Sequence, residues 1–208
     1  MKVLNLYSGL GGNRKLWTDC EVWALELNPQ IAEVYKANFP DDKVIIGDAH
    51  EYLLQNFDKF DFIWSSPPCQ SHSRMVKATR HDIRKYPDMI LYQEIILLQH
   101  LFKGRWVVEN VKPYYTPLIK PTAILGRHLV WSNFDIIYKE VKSPKGFINN
   151  DSPSAIKAMK EWVGINYDGN IYYDDNHSPG QVLRNCVHPE LGLHIFNESK
   201  RFGFFSHA

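Results

Sequence analysis

The sequence predicts an α/β protein built on a doubly wound, mostly parallel sheet. Apolar β-like runs alternate with helix-like runs through the first half of the chain, which is typical of parallel strands joined by crossover helices. The 208 residues are enough for one domain with a sizeable core. A hydrophobic content of 44% and a charged content of 23% are ordinary for a globular protein.

Five β-like runs define the predicted sheet. They are KVLNLYS (2–8), EVWALELN (21–28), KVIIGDAH (43–50), FDFIWSS (60–66) and RWVVENV (105–111). The segments between them predict helices over NRKLWTDC (13–20), PQIAEVYKANF (29–39), EYLLQNF (51–57) and DMILYQEIILLQHLF (88–102). Pro29 stands in the first turn of its helix, where proline is tolerated.

The alternation stops after Pro113. RHLVWSNFDIIY (127–138) predicts a further strand, AIKAMKEWV (155–163) a short helix, and QVLRNCVHPELGLHIFNES (181–199) a helical segment. We therefore expect a main domain over residues 1–130, a small irregular region over 131–180 and a C-terminal helix over 181–208 that returns to the main domain.

Composition excludes several classes of protein. The three cysteines, Cys20, Cys69 and Cys186, form no CxxC pair, which argues against a disulfide framework or a cysteine-rich zinc site and favours a reducing cytoplasm. No metal is expected. No apolar run is long enough to span a membrane. With a net charge of +1, a nucleic acid would have to be held by a local basic patch.

Polar or glycine residues follow each of the first three predicted strands. The glycine loop LYSGLGG (6–12) permits a tight turn and close approach of a ligand, although a plain strand-to-helix turn has the same pattern. Glu26 suits the hydroxyls of a ribose, or else caps the next helix. Asp48 suits an adenine amino group, and helix capping is its simpler role.

The remaining strand ends carry a cysteine and a glutamate. Cys69, in WSSPPCQ, opens a loop that the two prolines before it make stiff. Glu109 and Asn110, in VVENV, end the fifth strand at the same edge of the sheet. A glutamate beside a thiol can donate a proton to a substrate that the thiolate attacks. The simpler alternatives are a buried free cysteine and a turn.

Taken together, these motifs resemble the cytosine-5 DNA methyltransferase family. LYSGLGG is similar to its aromatic-x-G-x-G loop, SPPCQ to its Pro-Cys motif, ENV to its glutamate motif, and QVLRNCVHPELGLHIF to its late GNAVPP motif. The resemblance implies a Rossmann-like, class I methyltransferase fold of a compact phage or restriction-modification type. The departures are Asn5, where the family has an acid, and a QxRxR motif reduced to Arg127, with Leu129 or Val130 where its second arginine is expected.

The resemblance implies roles for particular residues. S-adenosylmethionine would be bound by Tyr7, Gly9, Gly11, Glu26, Asp48 and Asn185. Cys69 would attack C6 of a cytosine flipped out of the duplex, Glu109 would act on the ring, and Arg127 would assist. Because the nucleophile is a thiolate, we expect Cys69 to lie near positive charge.

A basic segment follows the cysteine. The residues expected to contact DNA are Ser73, Arg74, Lys77 and Arg80, in SRMVKATRHDIRKY (73–86). A solvated helix face is the simpler interpretation of such a charge run.

Three functions remain open on these observations. The first is DNA cytosine-5 methylation, with the region 131–180 as a reduced target-recognition segment. The second is methylation of cytosine in RNA or in a free nucleotide, which a small recognition region favours. The third is a non-catalytic nucleic-acid-binding module. A small recognition region also makes a homodimer or a partner chain plausible.

Overall fold

A single sheet forms the centre of the molecule. The structure, a computed structural model, describes residues 1–73, 86–144, 150–172 and 178–201. Among these residues the strands are β1 (Lys2–Leu6), β2 (Glu21–Glu26), β3 (Lys43–Ile46), β4 (Phe62–Ser65), β5 (Arg105–Val111), β6 (Ala123–Leu125) and β7 (His128–Ser132). Their order across the sheet is β3-β2-β1-β4-β5-β7-β6.

Helices cover both faces of this sheet. Those of the described residues are α1 (Pro29–Asn38), α2 (Ala49–Asn56), α3 (Ile90–Leu101), α4 (Pro153–Val163), α5 (Gln181–Arg184) and α6 (Pro189–Arg201), with a short 3₁₀ helix at Phe57–Lys59. Local sequence sets their ends: Asn28 caps α1 by accepting from two backbone N–H groups, and Ser152 caps α4 by accepting from one, that of Ala155. Gly164 ends α4 at φ 65°, which glycine adopts without strain.

The strand order confirms the predicted doubly wound fold. Strands β1 to β5 pair in parallel, while β7 is antiparallel to both β5 and β6. From β1 the chain moves outward through β2 and β3, then returns to β4 on the other side of β1. A crevice opens at such a reversal, outside the carboxyl ends of the strands, and it is where ligands bind in open α/β sheets.

The core has two layers because side chains alternate along each strand. On one face, Leu4 and Leu6 of β1 join a cluster with α2 and α3. On the other face, Val3 of β1 packs in a cluster with α6, while Ala24 of β2 packs in a neighbouring cluster with α1 and α4. Helices on both faces therefore hold the strand ends of the crevice in place.

The helix predicted over residues 13–20 is wrong. Between Gly12 and Asp19 the chain forms turns, closed by backbone bonds such as Trp17 N to Arg14 O at 3.0 Å. Trp17 is buried, stacks on Phe196 and donates its indole N–H to Gly192 O at 3.2 Å. A Cβ on Gly192 would lie 2.6 Å from Asn13 Cα, so α6 is in direct contact with this segment. Contacts with α6 thus override the local helical pattern.

The segment expected to recognise a target contains a helix that packs in the core. Ile156, Met159 and Val163 of α4 are buried in the same apolar cluster as Ile31 and Tyr35 of α1. Strand β6, at the edge of the sheet, was not predicted. Within the four described ranges, no helix is both long enough and apolar enough to cross a membrane.

Candidate active site

The glycine loop turns sharply at the end of β1. Tyr7, Gly9 and Gly11 all have positive φ, at 53°, 54° and 84°. At Gly11 a side chain is excluded for a second reason, since a Cβ would lie 2.8 Å from Tyr35 and closer still to Phe39. At Gly9 a Cβ would meet nothing within 4 Å, so the loop there borders open space. The loop is therefore shaped to let a ligand approach the backbone.

Glu26 joins this loop to the end of β2. Its Oε2 accepts from the N–H of Gly9 and its Oε1 from the N–H of Asn28, each at 2.9 Å. The carboxylate thus lies directly beside the glycine loop, as the prediction of a ribose-binding acid requires. Each carboxylate oxygen can accept more than one hydrogen bond, so these contacts are compatible with that role.

The loop that carries Cys69 is held by the end of β5. Asn110 donates its side-chain N–H to Pro67 O at 2.9 Å. Within the loop, the N–H groups of His72 and Ser73 both bond to Cys69 O, and Ser73 forms a bridge with Pro113. The motifs PPC and ENV, separated in sequence, are therefore neighbours in space.

Glu109 is buried and held at both oxygens. Its Oε1 contacts His128 Nδ1, and its Oε2 accepts from the hydroxyl of Ser66 at 3.0 Å. Burial acts to raise the pKa of Glu109, but His128, Ser66 and the charge of Arg127 outweigh it, so the pKa is lowered. The carboxyl group is therefore ionised at neutral pH.

Cys69 is in its thiol form at rest. Burial raises its pKa, the nearby charge of Glu109 raises it further, and Arg127 opposes both. The positive charge expected near Cys69 is present in Arg127, but burial and Glu109 together keep the pKa of the thiol raised. Cys69 and Glu109 together thus hold one proton, on sulfur.

The first 117 residues match the family model for C-5 cytosine-specific DNA methylase. The chain belongs to this family. The match covers the glycine loop, the loop of Cys69 and the glutamate motif, and it confirms the resemblance drawn from those motifs.

Individual curated proteins are similar to part of the chain. Human tRNA (cytosine(38)-C(5))-methyltransferase is 39% identical over 122 residues, which cover 55% of this chain and 31% of that protein. Type II methyltransferase M1.HphI of Haemophilus parahaemolyticus is 29% identical over 126 residues, covering 56% and 34%. The chain thus spans about a third of the length of these curated relatives.

Two solved structures are also similar over about half of the chain. The S. pombe Dnmt2 methyltransferase has 25% sequence identity and a TM-score of 0.41, with 55% of this chain and 37% of that chain covered. The Spodoptera frugiperda DNMT2 mutant E260A/E261A/K263A has 30% identity and a TM-score of 0.38, with 53% and 35% covered.

The other predicted residues take several positions. Arg127 lies beside the site, with its Nε donating to His128 Nε2 at 3.0 Å and its Nη2 to Arg184 O. Asp48 caps α2, where its Oδ1 accepts from Glu51 N at 2.8 Å. Asn185 is exposed after α5 and accepts from Gln181. The DNA contacts predicted for Arg74, Lys77 and Arg80 lie outside the described residues.

Sequence reasoning missed an acid at the centre of the site. Glu94 of α3 is fully buried and accepts from the hydroxyl of Tyr7 at 2.7 Å and from that of Ser65 at 2.5 Å. His50 Nδ1 lies 3.1 Å from the same carboxylate, whose hydrogen bond raises the pKa of the imidazole. Burial, and then Glu94, raise the pKa of Tyr7. The available signal was a charged residue at a core-facing position of an apolar helix.

Residues around the glycine loop fit S-adenosylmethionine. The hydroxyl of Ser8 is buried and has no hydrogen-bond partner among the described residues, which is unusual unless a ligand supplies one. Gly12 brings the loop against Val187, since a Cβ there would overlap the carbonyl oxygen of Val187. The glycine loop, Glu26 and the segment after α5 thus form one cradle. In the described part of the chain no group of three or more metal-binding side chains occurs.

Proposed function

We propose that this chain is an S-adenosylmethionine-dependent methyltransferase that acts on C5 of cytosine in DNA. The observation that carries the proposal is the bond from Asn110 to Pro67, which places Glu109 close enough to Cys69 for its charge to raise the pKa of the thiol. A module that only binds nucleic acid has no need of this coupled thiol and carboxylate.

The chemistry of the base explains why both groups are needed. C5 of cytosine is a weak nucleophile until a sulfur atom bonds to C6 and a proton reaches N3, which converts the ring into an enamine. In the resting site the proton is on Cys69 and the negative charge on Glu109, so addition moves one proton from sulfur to N3. Glu109, next to the thiol, is the group that transfers it.

The remaining steps restore the site. Bound S-adenosylmethionine supplies the methyl group that C5 receives. The proton on C5 then leaves to solvent, the proton on N3 returns to the site, and the bond between Cys69 Sγ and C6 breaks. The products are 5-methylcytosine, S-adenosylhomocysteine and one released proton, and Cys69 is a free thiol again for another cycle.

The residues of the cofactor cradle have separate tasks. Gly9 and Gly11 let the cofactor lie against the backbone, and Glu26 accepts from its ribose hydroxyls. Tyr7 packs on the adenine ring and Asp48 accepts from the adenine amino group. Asn185, on the segment that adjoins the loop, completes the cradle.

DNA is the proposed substrate because the family is one of DNA methylases and its relatives include Type II methyltransferases. Arg74, Lys77 and Arg80, close to Cys69 in sequence, would contact the phosphate backbone. RNA is the second candidate, since the human relative that acts on tRNA shares 39% identity. A homodimer or a partner chain that completes target recognition, and a cytoplasmic location, stay predictions.

A covalent trap tests the reaction and the substrate together. The chain is incubated with S-adenosylmethionine and either duplex DNA or a stem-loop RNA that carries 5-fluorocytosine, then run on a denaturing gel. Fluorine does not leave C5 as the proton does, so the working enzyme stays bonded to its substrate. We expect a shifted band with DNA, lost in Cys69→Ser and kept in Cys20→Ser.

Other outcomes are equally informative. A band with RNA alone would make RNA the proposed substrate. Bands with both would show that the enzyme does not distinguish ribose from deoxyribose. No band with either substrate, when calorimetry shows that the cofactor binds, would contradict catalysis by this chain alone.

A further inference from the structure

Two contacts define the protonation state of His128. The imidazole is buried, with its Nδ1 against Glu109 Oε1, and Arg127 Nε lies 3.0 Å from its Nε2. An arginine Nε–H can only donate, so the Nε2 of His128 accepts. The proton of the neutral ring is therefore on Nδ1, and His128 donates it to Glu109.

The strand register brings the two side chains together. Strands β5 and β7 are antiparallel, with Val111 opposite His128 and Glu109 opposite Val130. Residues two apart on a strand share a face, so Glu109 and His128 are diagonal neighbours on one face of the sheet. Their contact follows from the sheet and does not depend on a loop.

The helical segment after residue 180 holds Arg127. The guanidinium of Arg127 donates to the backbone oxygen of Arg184. The side chain of Arg184 in turn donates from its Nη1 to Asp151 Oδ1 at 2.9 Å. Arg127 is thus fixed at one end by α5 and at the other by the ring of His128. This arrangement leaves His128 a single tautomer.

We propose that His128 is a positioning residue for the reaction, a neutral imidazole whose tautomer Arg127 fixes and whose Nδ1–H sets the direction of the Glu109 carboxylate. The inference rests on the proposed function and deepens it. It assigns the role to a residue that sequence reasoning passed over, because the second arginine of the QxRxR motif was sought at Leu129 or Val130.

The consequence for Glu109 is both geometric and electrostatic. Its two oxygens are held from opposite sides, by His128 on β7 and by Ser66 on the loop of Cys69, so the carboxylate cannot rotate without breaking a hydrogen bond. The titratable or charged groups that face it are His128 and Arg127 on the β7 side and Cys69 on the loop. Without the His128 donor, the carboxylate would lose one of the hydrogen bonds that favour its charged form, and the pKa of Glu109 would rise.

The first arm of the test reads the tautomer without any substrate. Long-range ¹H–¹⁵N spectra of the full-length, ¹⁵N-labelled chain distinguish the two neutral tautomers and the imidazolium, and His128→Asn identifies the signals of His128. We expect the Nδ1–H form at neutral pH, changing to the other forms when Arg127→Leu removes the donor. An Nε2–H ring or an imidazolium in the unaltered chain would overturn the proposal.

The second arm compares two substitutions by their pH profiles. Asparagine at position 128 can place an N–H near the site of Nδ1–H, whereas leucine cannot. We expect His128→Leu to lower kcat roughly 100-fold, as misplaced catalytic groups do, and to move the acidic limb of kcat/KM to higher pH. His128→Asn should keep the limb in place, and the KM for S-adenosylmethionine should not change in either variant.

The outcomes separate the two proposals. A His128→Leu variant with the unaltered pH profile would overturn the positioning role, even if its rate were low. Failure of the unaltered chain to form the covalent trap would contradict the proposed function, and the tautomer spectrum would still decide the inference about His128.

Discussion

Asn110 and Pro67 are joined by a hydrogen bond of 2.9 Å between the side-chain N–H of one and the backbone oxygen of the other. This bond connects the end of β5 to the loop of Cys69. The parallel register pairs Ser65 with Val108, so the residues that follow each of them, Ser66 and Glu109, meet at the same edge of the sheet. The positions of Cys69 and Glu109 relative to each other are therefore determined by the two adjacent strands β4 and β5.

Replacing Asn110 should loosen this connection. In Asn110→Ala the oxygen of Pro67 loses its donor inside the protein, which costs roughly 1–3 kcal/mol of the free energy of unfolding. We also expect weaker covalent trapping, because the loop of Cys69 is released from β5. Urea denaturation and the 5-fluorocytosine gel measure the two effects.

Asn110→Asp provides the matched comparison. It keeps the Oδ1 that accepts from Val111 N but puts an acceptor opposite the oxygen of Pro67. Trapping should then fall at least as far as in Asn110→Ala. Unchanged trapping in both variants would show that this bond does not position the loop.

Replacing Cys69 should stop the reaction and leave the fold and the cofactor cradle intact. The hydroxyl of serine is a far weaker nucleophile than a thiolate, and Cys69 has no part in the glycine loop. We expect Cys69→Ser to form no trap and to bind S-adenosylmethionine with unchanged affinity by calorimetry. The control is Cys20→Ser, because Cys20 is a partly buried cysteine away from the site, and this variant should react normally. Turnover by Cys69→Ser would disprove the covalent mechanism.

The sheet and the site were predictable to different extents. The alternation of β-like and helix-like runs predicted the five parallel strands. Strand-end residues such as Glu26 and Glu109 lie at the edge of the sheet where they were expected. The helix predicted at residues 13–20 failed because Trp17 is fixed by α6, a contact that local propensity does not contain. Glu94 and His128 were missed for the same reason, since their partners are distant along the chain or on another strand.

The coupling of Cys69 to Glu109 predicts how the thiol reacts with an alkylating agent. Because the carboxylate raises the pKa of the thiol, Glu109→Gln should lower that pKa and increase the fraction of thiolate at pH 7. Iodoacetamide should therefore modify Cys69 faster in this variant, with the pH profile moved to lower pH. Mass spectrometry of the peptide that contains Cys69 follows the rate without any nucleic acid.

The direction of the change makes the alkylation test decisive. Arg127→Leu removes a positive charge that stabilises the thiolate, so it should slow alkylation and move the profile to higher pH. If the two variants shifted the profile in the same direction, the charges of Glu109 and Arg127 would not control the thiol.

The substitution Glu94→Gln tests whether this buried acid links the glycine loop to β4, the strand that precedes the loop of Cys69. The substitution removes the charge that accepts from Tyr7 and Ser65, and hydrogen bonds to charged groups contribute roughly 1.5–3 kcal/mol each. We expect the free energy of unfolding to fall by about 2–3 kcal/mol and the affinity for S-adenosylmethionine to fall with it. Tyr7→Phe, which removes one hydroxyl, is the milder control, at about 1.5 kcal/mol.

The effect of Glu94→Gln should depend on pH through His50. Glu94 raises the pKa of His50 above its ordinary value of 6.5, so the stability that this pair contributes is complete below that value. It is lost as the pH rises through the raised pKa of the folded state. The stability difference between the unaltered chain and Glu94→Gln should therefore be larger at pH 6 than at pH 8.5 in urea denaturation. An equal difference at both pH values would show that His50 is not charged beside Glu94.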